Sequence, residues 1–267
     1  MKLAPLFLLR ALFSALLCAA LALAQIPSDA RARKAIDDAV AALGGGKFLQ
    51  MEDRVETGRA YSFYRERLSG LSIAKIYTRY LTVPPAKSGE ELGLRERQAF
   101  GKNEDSAIVF REDGGANVTY RGSKAMPKED FERYRETMLH NVLYILRQRL
   151  QEPGLTFESR GSDVVDHLPV EVVDIIDSTN RATRVYFHQT TKLPVKQTWS
   201  RLDSKTKERD EEVTIFDRYR EIQGIQWPQQ ITRERNRERI YQIFSESVVF
   251  NQDLTDDLFS TELKRKK

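Results

Sequence analysis

Three histidines, His140, His167 and His188, have the widest chemical reach in this chain, and their spacing limits what they can do. A helical metal site needs two ligands three or four residues apart on one face, and no histidine here has another at that distance. Metal binding is therefore not expected. A serine hydrolase of the strand-turn-helix kind would carry its nucleophile in a Gly-x-Ser-x-Gly turn, which the sequence lacks. Asp163, Asp166, Asp174 and Asp177 are close enough in sequence to suggest an acid and base pair. They fall in and around expected hairpin turns, however, where aspartate serves its own backbone, and a structural role is expected. Gly44-Gly45-Gly46-Lys47 resembles a phosphate loop only superficially. Ala41 stands where the first glycine of that motif belongs, and Phe48 replaces the hydroxyl residue that would meet magnesium. The glycines read instead as a helix stop. These patterns point away from a metal site and give no support for an enzyme.

The chain of 267 residues opens on a segment that looks removable. Met1 to Ala24 has Lys2 and Arg10, no acid, a continuous apolar run from Ala11 to Leu23, and an Ala22-Leu23-Ala24 cleavage site, the layout of a secretory signal peptide. The expected division is a signal over 1–24 and one domain over 25–267. Removing the signal leaves 41 basic against 39 acidic side chains, too even a balance for a nucleic-acid binder. It also removes Cys18, the single cysteine, and with it any disulfide or thiolate chemistry. No later stretch approaches the roughly 20 apolar residues of a membrane-spanning helix. The mixed-sign run Arg233 to Arg239 reads as a solvated hairpin tip and Lys264 to Lys267 as a solubilising end.

Two helices and many strands must position whatever this protein binds. Ser28 or Asp29 caps a first helix whose apolar residues run from Ala32 to Leu43 at helical spacing. From Arg54 the period becomes two, with strands expected around Val55 to Tyr64, Ile73 to Leu81, Leu94 to Phe100, Ala107 to Phe110 and Val118 to Tyr120. Pro127 then starts one long amphipathic helix reaching Leu150, with Tyr134, Met138, Leu139, Val142, Ile145 and Leu146 on its apolar face. Strands resume over Leu155 to Arg160, Leu168 to Ile176, Thr183 to Gln189, Val195 to Leu202, Glu211 to Tyr219, Trp227 to Arg235 and Arg239 to Phe250. The fold class expected is mainly β (α+β). A curved antiparallel sheet of about ten or more strands is covered by an N-terminal helix and a central amphipathic helix.

Aromatic residues are spread across these strands: Tyr61, Phe63, Tyr77, Phe110, Phe187, Trp199, Phe216, Trp227 and Phe244. On a curved sheet several of them can converge beneath the Met138 to Leu146 stripe. The result is either a ligand cleft with the helix as a lid or a sealed core.

A set of local sequences resembles one family. Ala42-Leu43-Gly44-Gly45 closes the first helix, and Thr191-Lys192-Leu193-Pro194-Val195-Lys196 centres a hairpin. Phe216-Asp217-Arg218-Tyr219-Arg220, Gly224-Ile225-Gln226-Trp227-Pro228 and Asp256-Asp257-Leu258-Phe259 complete the pattern. Together they resemble the outer-membrane lipoprotein carrier and sorting superfamily, the LolA/LolB-like proteins, over nearly the whole mature chain. The resemblance implies an unclosed half-barrel with a helical lid, a hydrophobic cavity for acyl chains, and no cofactor. It implies a set of ligand contacts: Tyr61, Phe63, Tyr77, Phe110, Phe187, Trp199, Trp227 and Phe244 as lining, with Tyr134, Met138, Leu139, Val142, Ile145 and Leu146 as lid. It further implies a monomer in the periplasm of a two-membrane bacterium that holds an acylated lipoprotein or lipid and meets a membrane partner. The chain departs from the typical carrier in its length and in an Arg-rich segment from Arg65 to Arg97. A non-enzymatic envelope interaction protein with a closed core is the alternative.

Overall fold

The computed structural model describes residues 29–202 and 207–261. The expected signal segment with Cys18 and the basic end Lys264 to Lys267 lie outside the described residues. Helix α1 (Ala30–Leu43) begins where Asp29 accepts a hydrogen bond from the Arg31 N–H at 2.9 Å. Ala32, Ile36, Ala39 and Leu43 form its buried stripe, at the spacing of one helical face. Gly44 ends it with φ +127°, and a side chain there would meet the Gly224 carbonyl oxygen at 2.6 Å. The glycine run is a helix stop, followed by the short α2 (Gly46–Leu49).

All thirteen described strands form one antiparallel sheet. The first meander is β1 (Asp53–Tyr64), β2 (Arg67–Tyr80), β3 (Leu94–Phe100), β4 (Ser106–Phe110), β5 (Gly115–Thr119) and β6 (Gly122–Ala125). The second is β7 (Thr156–Val165), β8 (Leu168–Ile176), β9 (Ala182–His188), β10 (Pro194–Leu202), β11 (Arg209–Ile222), β12 (Ile225–Arg235) and β13 (Glu238–Phe250). The two meanders join only where β1 pairs with β13, and β6 and β7 remain as free edges, so the sheet is an unclosed half-barrel. Hairpins Arg65-Glu66, Asp166-His167 and Asn236-Arg237 have positive φ at both loop residues. That geometry matches the natural twist of two-residue hairpins. Relative to the sequence pattern, β2 starts earlier, β7 runs longer and β6 is additional.

Helices and tail cover opposite faces of this sheet. On the inner face α1 packs with Val142 to Leu146 over Phe157, Val173, Ile175, Val185, Phe187, Phe216 and Trp227. On the outer face Leu254, Leu258 and Phe259 cover Val55, Tyr77, Ala99, Val109 and Val118. Both alternating phases of β1 and β2 are therefore covered near Val55 and Tyr77, while Tyr64, Leu68, Leu71 and Ile73 toward their hairpin stay exposed.

The one long helix expected over Pro127 to Leu150 is instead broken. Helix α3 (Lys128–Leu139) ends at His140, and Asn141 starts α4 (Val142–Tyr144), which continues as a π-helical turn over Ile145–Arg149. Asn141 causes the restart because its side-chain oxygen accepts from the Leu143 and Tyr144 N–H groups at 2.9 and 3.2 Å. Gln197 fixes the break from below. Its oxygen accepts from the Val142 N–H at 2.7 Å and its amide donates to the His140 carbonyl at 3.1 Å. Gln197→Leu strands both backbone groups in the core and is expected to cost about 2–3 kcal/mol. A lowered urea midpoint at unchanged slope checks this; a midpoint within error of wild type would mean that water replaces the amide.

Candidate functional site

A cavity of about 250 Å³ lies between the middle of the sheet and the helix break. Its floor is five neighbouring strands, β3, β2, β1, β13 and β12, and its roof is Met138, Asn141, Leu143 and Tyr144. The floor spans the β1–β13 seam, where a bulge at Thr57/Gly58 shifts the pairing. The bulge lets Val248 and Phe250 share the inner face with Tyr241 and Ile243, although their numbers differ in parity. Gly58 is needed there, because a Cβ would fall on the Phe244 carbonyl oxygen.

The walls are half apolar and half polar. Ile76, Met138, Leu143, Ile231 and Ile243 supply the apolar part. Opposite them, Arg54 Nη2 donates to Thr78 Oγ1 at 3.0 Å, Thr78 Oγ1 donates to Glu96 Oε2 at 3.3 Å, and Gln98 donates to Glu96 Oε1 at 2.6 Å. Glu56 lies 3.5 Å from Arg54 Nε and accepts from the Ser245 hydroxyl. Burial opposes the Arg54 charge, but Glu56, Tyr80 and Glu96 outweigh it, and its pKa rises. Burial lowers the pKa of Arg233, which faces Glu212 at 3.8 Å, and raises those of Tyr80 and Tyr241. Arg233 belongs to this wall and not to the solvated hairpin tip expected for its charge run.

The aromatic residues singled out from the sequence disperse. Only Trp227 reaches the cavity, with Arg54 over its ring at 4.4 Å. Phe187 is in the main core, Trp199 stacks on His140 at 4.2 Å, and Phe110 stacks on Tyr134 at 3.5 Å. Tyr77 packs under the C-terminal tail on the outer face. Tyr61 pairs edge to face with Phe244 on the side away from Tyr241 and Ile243, and Phe63 lies beneath Arg239. Of the expected lid residues, Met138 lines the cavity, while Leu139, Val142, Ile145 and Leu146 are buried in the core clusters. Sequence reasoning missed Arg54, Glu56, Glu96, Arg233 and Tyr241. Charged residues alternating with Val55 gave no sign that their face was the covered one.

The two parts of the broken helix are held very differently. In α3 only Phe131 and Leu139 are fully buried, and its side chains reach the sheet and loops through the Tyr134 stack, Arg135 to the Glu90 carbonyl, and Thr137 to Arg233. Downstream, Tyr144 accepts from the Gly93 N–H at 2.7 Å, and Gln148 donates to the Leu81 and Gly93 carbonyls. Arg147 grips the Met51 carbonyl, and Arg149 forms a buried cluster with Glu152 and Asp177.

The histidines and aspartates have structural partners. His140 Nδ1 meets Thr183 Oγ1 at 2.7 Å, His188 Nδ1 accepts from the Thr190 and Thr191 N–H groups, and His167 forms a hairpin turn. Asp174 is not in a turn but mid-strand in β8, gripped by Arg160 and Arg184. Asp177 caps its own turn, as aspartate in a turn should. Among the described residues no group of His, Cys, Asp and Glu could hold a metal.

No protein-family model matches the sequence, and no curated protein matches it. Solved structures do. A DUF1329 family protein from Desulfovibrio piger aligns with a TM-score of 0.56 at 15% identity, covering 86% of this chain and 97% of that one. A LolA superfamily protein from Nitrosomonas europaea aligns at 0.51 and 11% identity, covering 86% and 97%. The protein has a LolA/LolB-like fold. A domain from Vibrio parahaemolyticus described as an outer membrane lipoprotein-sorting protein shares that half-barrel at a TM-score of 0.55 and 10% identity, covering 85% and 97%. In this LolA-like half-barrel the central cavity carries a charged wall, where the resemblance implied an apolar one.

Proposed function

We propose that the protein is an exported carrier that holds the acyl chain of a lipoprotein or lipid between the inner face of its sheet and α3. It would do so as a monomer of residues 25–267, after loss of its signal, for sorting or transport between the two membranes of a bacterial envelope. The observation that carries this reading is a cavity at the centre of an unclosed sheet, roofed where a lightly held helix meets a firmly held turn. Likeness in fold to a LolA superfamily protein supports it.

Carriage of this kind needs no covalent step. Each methylene removed from water contributes roughly 0.8 kcal/mol, so an enclosed chain is held by burial alone. The cavity of about 250 Å³ is below the usual ligand-pocket range of roughly 300–1,000 Å³, so α3 must move to admit a full chain. Motion would be confined to α3, turning at His140 and Asn141, while Val142 to Leu150 stays in place. Met138 and Trp227 would touch the ligand.

Native mass spectrometry with lipid extraction, on protein purified from its export compartment, tests the reading. Bound acylated molecules that a hydrophobic dye displaces are the expected result. A clean ligand-free mass with no dye binding would favour a closed-core interaction protein in the envelope.

A further inference from the structure

Two hydrogen-bond donors in the cavity wall have no acceptor among the described residues: Arg54 Nε and the Trp227 indole Nε1. Trp227 is 1% exposed and the Arg54 side chain 11%, so bulk water does not serve either. A buried donor without an acceptor is rare in folded proteins and marks a place where another molecule supplies one. The two residues are neighbours, with the guanidinium over the indole face at 4.4 Å. Glu56 reaches Arg54 Nε only at an ion-pair distance of 3.5 Å.

The surrounding charges define what that group is. Arg54 and Arg233 face the cavity together with Glu56 and Glu96, so the wall is balanced. With these charges already balanced, an added anion would leave an uncompensated charge in a buried site, whereas a neutral oxygen acceptor meets the donors without that cost. Beyond the donors the wall is apolar, formed by Ile76, Leu143, Ile231 and Ile243.

We propose that Arg54 and Trp227 read the ester carbonyl at the head of an acyl chain, and that the ligand is a neutral acyl ester and neither a free fatty acid nor a bare hydrocarbon. The inference rests on the carrier reading above and narrows it to a ligand class. The ester carbonyl accepts the two orphan hydrogen bonds while its chain lies along the isoleucines. Lipoprotein glycerides and membrane glycerides both carry this group.

Competition against a bound hydrophobic dye tests it with three probes of equal chain length: monolauroyl glycerol, its dodecyl ether analogue without the carbonyl, and lauric acid. The ester should bind about tenfold more tightly than the ether, because the ether leaves the donors unmet. Trp227→Phe keeps the ring but loses the N–H, and should cut that preference to about threefold, read as the ester-to-ether ratio within the variant so that any change in dye affinity cancels. Arg54→Lys should do the same, as a second variant if Trp227→Phe folds poorly. Equal binding of ester and ether, tighter binding of lauric acid, or an undiminished preference in folded variants would overturn the ester inference while carriage stands. Failure of wild type to bind dye or any probe would remove the carrier reading itself.

Discussion

Arg149→Met lowers the free energy of unfolding by about 3–5 kcal/mol, the usual cost of removing one member of a buried ion cluster. Arg149 is 3% exposed and holds three groups at once. Its Nε and Nη2 bind the Glu152 carboxylate at 2.7 and 3.1 Å, Nη2 reaches Asp177 at 3.1 Å, and Nη1 donates to the Leu139 carbonyl at the end of α3. Asp177 keeps Arg181 as a second cation, but Glu152 has no other among the described residues. The cost arises from the stranded Glu152 carboxylate more than from the lost attraction. Arg149→Met with Glu152→Met should therefore recover much of the stability, since an apolar pair replaces an ionic one. Urea unfolding of the two variants decides it. A single substitution costing under about 1 kcal/mol, or a double variant no better than the single, would show that the cluster is hydrated.

Acid should destabilise the protein through His140 from about pH 6.5 downward. Burial, with Arg181 and Arg149 nearby, lowers the His140 pKa from 6.5 to about 3. A base with a depressed folded pKa is neutral in the native state, while the unfolded chain takes up its proton below about pH 6.5. Stability is thus full above that value and declines as pH falls toward 3. The slope is about 1.4 kcal/mol per unit, giving a loss of about 2 kcal/mol by pH 5 and about 4–5 kcal/mol by pH 3. Asp177 behaves in the opposite chemical sense. Burial raises its pKa, but hydrogen bonds from the Arg181 backbone and the Thr179 hydroxyl, with the Arg181 charge, outweigh it and hold it below 3.8. As an acid with a lowered pKa it contributes stability in full above about 3.8 and loses that contribution only as pH falls below it. Unfolding free energies measured from pH 8 to 4 should slope downward below 6.5, and His140→Gln should flatten that slope. An equal slope in the variant would place the proton uptake elsewhere.

The sequence made the architecture readable where periodicity had a single cause. Leu168 to Ile176 and Leu94 to Phe100 emerge at the expected boundaries because turn residues flank them, and α1 ends at its glycines. The broken helix was less visible. An apolar stripe runs through His140 and Asn141 without interruption, and only the capping preference of Asn141 hints at a restart. The cavity was the least legible feature, for a physical reason. Alternation tells which residues share a face but not which face lies under the helix, and here the C-terminal tail makes the outer face apolar as well. Tyr61 and Tyr77 thus looked as inward as any residue, and Arg54 and Glu56 as outward. The bulge opposite Gly58 compounds this by reversing parity along β13.

The β1–β13 seam also sets an order of events. Arg54 pairs with Phe250, so the two strands under the cavity come from opposite ends of the described chain. Each meander can zip up locally, hairpin by hairpin, but the seam demands closure of a very long loop, the slowest kind of contact to make. A chain emerging from its N-terminus therefore has most of both halves of the sheet before it has the cavity. The cavity comes into being only when the final strand docks, so an unfinished or C-terminally clipped chain lacks its floor.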